Sequence, residues 1–260
     1  MTISIGLQVQ RRVLWALMLR EIHTINGNSY LGYLWVVIQG VVSIAIFWTL
    51  RELLNFHAPH CMSTPVFLII GFGFWRTFSG IITKSIAAVS GNKNLLTFPQ
   101  VTPLDLIISR MLVITATEIT VASVMLVASQ VMGYSIGPFN WLGVILSLFC
   151  ISLLAFGIGL TTATFCYIVP TIIKIVPMIL RIMFFCSGVF YSISRLPSRV
   201  FEILKWNPVL QVIELGRNSV AYYYNTNVVD YSYLAFLTIV FLFLGLLLER
   251  YGRRYAVETD

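Results

Sequence analysis

Lys174 and Arg181 stand seven residues apart in a run, 172–191, that is otherwise almost wholly apolar. Seven residues are about two helical turns, so both cations line one face. Two cations up one face of a helix suit an anionic substrate. In the alternative arrangement Lys174 reaches out to lipid headgroups and Arg181 pairs with Glu118, which lies in another apolar run. Arg76 also lies in such a run, and no role attaches to it at this level. Glu214 and Arg217 are three apart and form a structural pair on a short helix.

Other chemistry is missing. There is no G-x-x-x-x-G-K-[ST] loop to cradle ATP, no H-E-x-x-H and no G-x-S-x-G. His57 and His60 have no carboxylate or cysteine cluster with them, so no metal site is expected. Without a nucleophile–base pair, the chain reads as something other than an enzyme. An ion-coupled transporter using Glu118 and Arg181 as a relay, and a lipid-modifying membrane enzyme, remain as rival classes. Cys150, Cys166 and Cys186 read as packing residues, and Cys61 has no evident partner.

The elements that position these residues are set by the solvent. Hydrophobic residues make up 58% of the 260-residue chain and charged residues 10%. A soluble domain carries about 25% charged residues, so a lipid bilayer is the medium. Six runs are long enough to cross it as helices, at 31–50, 65–82, 106–129, 141–168, 172–191 and 233–248. Helix is the form in which each segment bonds its own amides. The fifth run is marginal. Two cations cost about 6 kcal/mol on the insertion scale, against about 5 kcal/mol returned by its apolar residues. It therefore faces protein or a wet path.

Residues 7–22 are too short and too charged to span. Val9, Val13, Ala16 and Leu17 share a face, with Gln8, Arg11 and Arg12 on another, which predicts a helix lying in the membrane interface. Residues 1–10 have no basic residue, so no signal peptide is expected. The stretch 192–232 is too polar to span and too aromatic for a plain loop, and reads as a pair of short re-entrant helices. Its aromatics, Trp206 and Tyr222 among them, suit an interfacial belt or the stacking of sugars. Lys and Arg are in excess in the segments that share a side with the N-terminus, which places both termini in the cytoplasm. The net charge of +7 is what an anionic membrane surface attracts, with no nucleic acid implied.

Leu19-Arg20-Glu21-Ile22 followed by Leu31-Gly32-Tyr33-Leu34-Trp35 resembles the entry to the first span of type-2 ABC transporter permeases. Within them the chain is similar to the inner-membrane subunits that export capsule polysaccharide. Pro99-Gln100-Val101-Thr102-Pro103-Leu104-Asp105 with Ile107-Ile108-Ser109-Arg110, the run from Lys174 to Arg181, and Asn207-Pro208-Val209-Leu210 with Glu214-Leu215-Gly216-Arg217 carry the likeness along the chain in order. Gln39-Gly40 stand where the family often has Glu-Pro, and 26–30 lack its usual basic residues.

The resemblance implies an all-α membrane protein with an N-terminal interfacial region, 1–30, and a type-2 transmembrane domain, 31–253. It implies a homodimer joined to two ABC ATPase subunits, which hold ATP and magnesium, since this chain has no cofactor. The complex would export a lipid-linked acidic polysaccharide across the bacterial inner membrane, handing it to periplasmic and outer-membrane export proteins. O-antigen or teichoic acid is the alternative cargo. The loop 90–105 would couple to the ATPase through Lys93, Leu95, Leu96, Phe98 and Pro99. Its apolar core between charged residues also calls for a protein partner. Substrate would pass Arg20, Tyr33, Trp35, Lys174, Arg181, Trp206 and Tyr222.

Overall fold

The computed structural model describes residues 3–26, 32–54, 62–90, 102–134, 140–193, 196–221, 224 and 228–258. These fold as nine helices: α1 (Ile3–Asn26), α2 (Gly32–Leu53), α3 (Thr64–Ser90), α4 (Pro103–Val131), α5 (Trp141–Ile168), α6 (Ile172–Cys186), α7 (Ser198–Leu204), α8 (Pro208–Val220) and α9 (Tyr231–Glu258). Five of them, α2, α3, α4, α5 and α9, are long and apolar enough to cross a membrane.

α3 is the axis of the bundle. Its Phe67, Leu68, Phe78, Ile81 and Ile82 are fully buried, and it packs against α2, α4, α5, α6 and α8. The helices around it keep an apolar outer surface. Ile46 on α2, Val127 on α4, Phe149 on α5 and Phe243 on α9 are all exposed. Exposed apolar side chains on every outer helix are the pattern lipid demands rather than water.

Helix ends are set by local chemistry. Thr102 caps α4 in a capping box with Asp105, and Pro103 opens the first turn. Asn140 caps α5 by accepting from the Gly143 amide at 3.2 Å, and Asn207 caps α8 ahead of Pro208. Helix crossings use small residues. A Cβ on Gly157 of α5 would stand 2.7 Å from the Leu242 amide nitrogen of α9, and one on Gly245 would stand 2.8 Å from the Gly157 carbonyl oxygen. The two backbones meet there directly, as small residues allow in lipid.

The run 172–191 does not form one uninterrupted helix. α6 spans 15 residues, about 22 Å, short of the roughly 30 Å hydrocarbon core. The helix ends at Cys186, and Gly188 takes a positive φ of 67°, a conformation glycine adopts without penalty. Val189 and Ile193 then turn inward and are buried completely. Among the described residues, the stretch 192–232 holds two short helices before α9 begins. α7 only half-buries Phe201 and Leu204, against Ile193 and Leu210, whereas α8 buries Val209, Leu210, Val212 and Ile213 completely.

Candidate functional site

α6 is held to the bundle by a narrow stripe. Val176 and Leu180 are its buried residues, with Met183 and Phe184 partly buried beside them. The rest of its surface is uncovered: Ile175, Met178, Ile179, Ile182 and Phe185 are exposed, and Lys174 and Arg181 are exposed among them. Two cationic side chains in an otherwise apolar face create a surface that attracts anions.

Arg181 does not pair with Glu118. Glu118 lies against Arg76, whose Nε donates to both carboxylate oxygens at 2.9 and 3.1 Å. α3 and α4 pack along their length, so these two charges meet across neighbouring helices. α2 comes in over the pair at Gly40, where a Cβ would stand 3.1 Å from Arg76 Nη2 and 2.8 Å from Val121. The carboxylate that was the candidate relay is held by a fixed guanidinium, and the cation on α6 is left facing outward.

Arg217 is the most heavily bonded side chain. It and Glu214 are both 0% exposed and meet at 2.9 Å. Its Nη1 also donates to the Gly188 carbonyl at 2.8 Å, and its Nη2 to that of Val189 at 3.0 Å. The guanidinium lies 3.5 Å from the centroid of the Phe67 ring, a close cation–π stack. Glu214 is satisfied on its other side by the Tyr224 hydroxyl, which donates at 2.7 Å. Burial, and then the neighbouring Glu214 carboxylate, push the Tyr224 phenol well above its usual range, so it remains a proton donor. This network pins the turn after α6 onto α8 and α3.

A further polar cluster sits where α1 meets α4. Glu21 is buried and accepts from Arg110 Nε at 3.2 Å. Arg110 Nη1 donates to the Lys84 carbonyl of α3 at 2.6 Å. Gln10 donates through its side-chain amide to the fully buried Asp105.

The described residues of the expected path stand on different elements. Trp35 starts α2 and is 65% exposed, and Trp206, between α7 and α8, is 62% exposed. Trp206 stacks edge-on against Tyr233. Arg20 is partly buried on α1. Tyr33 is in α2, but its side chain lies outside the described residues, as do Tyr222, His57, His60, Cys61 and the expected coupling residues Lys93, Leu95, Leu96, Phe98 and Pro99. Among the described residues no group of three His, Cys, Asp or Glu side chains gathers as a metal site. Sequence reading missed Arg110 and the Arg76–Glu118 pairing. The signal for the first was present, since Arg110 is a base in the apolar run 106–129 and needs a counter-charge.

Membrane-length helices wrapped on a buried one, with cations on an uncovered flank, define a multi-pass membrane protein. Residues 12–221 match the family described as ABC-2 type transporter, and the chain belongs to that family. It is 31% identical over 245 residues to the polysialic acid transport protein KpsM of Escherichia coli, which spans 94% of this chain and 95% of KpsM. It is 25% identical over 244 residues to the capsule polysaccharide export inner-membrane protein CtrC of Neisseria meningitidis, with 93% and 91% covered. It is also 25% identical over 232 residues to the O-antigen export system permease protein RfbA of Klebsiella pneumoniae, with 86% and 83% covered.

Proposed function

We propose that this chain is the permease subunit of an ATP-driven exporter that moves lipid-linked acidic capsular polysaccharide across the bacterial inner membrane. The observation that carries the reading is the uncovered α6 flank, where Lys174 and Arg181 stand exposed in an otherwise apolar face. A helix of that composition is unsuited to lipid on its own. A second copy of the chain gives it a wet, protein-lined path to face. α6 together with the turn after it then counts as a sixth span, and α7 and α8 form the re-entrant hairpin on the outer side.

Charge distribution supports both termini being cytoplasmic. α1 then lies along the inner membrane surface, with Arg11 and Arg12 exposed beside Trp15 and Leu19. Two ABC ATPase subunits supply the energy and hold the ATP and magnesium, docking on residues 90–105. In the path, Arg20, Lys174 and Arg181 meet the phosphate and acidic sugars. Tyr33, Trp35, Trp206 and Tyr222 give sugars faces to slide along. Periplasmic and outer-membrane export proteins receive the chain.

Polysaccharide cargo is favoured over ion coupling because Glu118 is engaged by Arg76. O-antigen is the second cargo, supported by the Klebsiella relative. The test is the Lys174→Glu, Arg181→Glu double variant. Surface polysaccharide should fall at least tenfold while the variant still copurifies with the ATPase. Normal surface polysaccharide in that variant overturns the cationic path.

A further inference from the structure

The two contacts between α1 and α4 are placed where a moving part would need them. Asp105 stands in the first turn of α4 and Arg110 in its second, while Lys84, whose carbonyl Arg110 holds, is near the end of α3. Glu21 and Gln10 are eleven residues apart on α1, about 16 Å along its axis. Contacts that far apart fix the direction of a helix as well as its position. Leu17, buried between them, packs with Leu106 and Ile107 of α4 and Ala88 of α3. The opposite flank of α1 carries Trp15, exposed. α1 is therefore bolted to the corner of α3 and α4 on one side and free to meet lipid on the other.

We propose that Glu21, Arg110, Gln10 and Asp105 form a clamp that makes α1 move as one body with the α3–α4 corner, so that displacement of that corner is delivered to the membrane-surface helix and on to α2. The inference rests on the reading that a partner ATPase drives this chain, and assigns these four side chains as positioning residues rather than substrate contacts. Motion reaches α2 through α1 as well as through the direct packing of α2 on α3 and α4. Without the clamp the same stroke is absorbed by slippage of α1 over α4.

The experiment uses inverted membrane vesicles containing the full chain and its copurifying ATPase, and reads polysaccharide transported per ATP hydrolysed. Glu21→Met with Arg110→Met removes the ion pair while keeping similar volume. Transport per ATP should fall about tenfold, with ATP hydrolysis within about twofold of the wild type. Gln10→Glu, on the exposed side of the contact, places two carboxylates together and should lower the ratio about threefold, and adding Asp105→Asn should restore it. A structural role alone lowers transport and hydrolysis together and leaves the ratio unchanged. An unchanged ratio in both Gln10→Glu and the double methionine variant overturns the clamp. So does a Gln10→Glu ratio at wild-type level if the methionine variant fails to assemble. A wild-type chain with no ATPase partner overturns the functional reading beneath it, a result distinct from either.

Discussion

Arg217 shows how one side chain organises a region that the sequence presents as three unconnected pieces. Its pairing with Glu214 follows from a spacing of three. Its bonds to the carbonyls of Gly188 and Val189, and its stack on Phe67, cross 29, 28 and 150 residues of sequence and are invisible to local pattern. The two members of the pair should therefore be unequal. Arg217→Met strips a fully buried carboxylate and buried carbonyls of their partner at once, and should cost about 3–5 kcal/mol. Glu214→Gln keeps one oxygen for Arg217 and reverses the Tyr224 bond, the amide now donating to the hydroxyl; it removes the counter-charge but spares the carbonyl bonds and the Phe67 stack, and should cost less, about 2–3 kcal/mol. Thermal unfolding in detergent compares the two, and equal losses would contradict the role given to Arg217. The same limit explains Glu118. Sequence puts three arginines, Arg76, Arg110 and Arg181, within apolar runs, and only the packing of α3 on α4 selects Arg76.

At the scale of elements, long apolar runs were legible because lipid makes hydrophobicity nearly the only requirement. The run 141–168 coincides with α5. The runs 65–82, 106–129 and 233–248 lie within α3, α4 and α9, which continue past their apolar cores. Helical hydrogen bonding does not stop where lipid does, so composition underestimates length. α6 fails in the opposite sense. Its apolar run continues to residue 191, but Ser187 and Gly188 break the helix and Arg217 captures the carbonyls beyond it. The path of the chain beyond that helix is fixed by a residue on another element. The crossing of α5 and α9 is likewise a property of packing. Gly157→Leu would force apart two backbones that meet within van der Waals contact. It should cost about 1–3 kcal/mol and lower the detergent unfolding temperature, whereas Gly6→Leu, which meets nothing within 4 Å, should leave it unchanged.

For the whole molecule, the proposed function makes this chain one part of a larger machine. Its best candidate path is an exposed flank, and the chain carries no phosphate loop of its own. The order of motifs along the sequence made the family legible, since the family match spans residues 12–221. On the proposed reading the α6 flank is enclosed by a second copy of the chain, a surface that no single sequence displays. The central claim, that this chain works as a permease driven by a partner ATPase, is tested most directly by purifying it in detergent from its own membrane and identifying what accompanies it. The account predicts an ABC ATPase in one-to-one ratio, lost when Leu95, Leu96 and Phe98 are replaced by serine. A chain that purifies alone and transports in vesicles without ATP would contradict it.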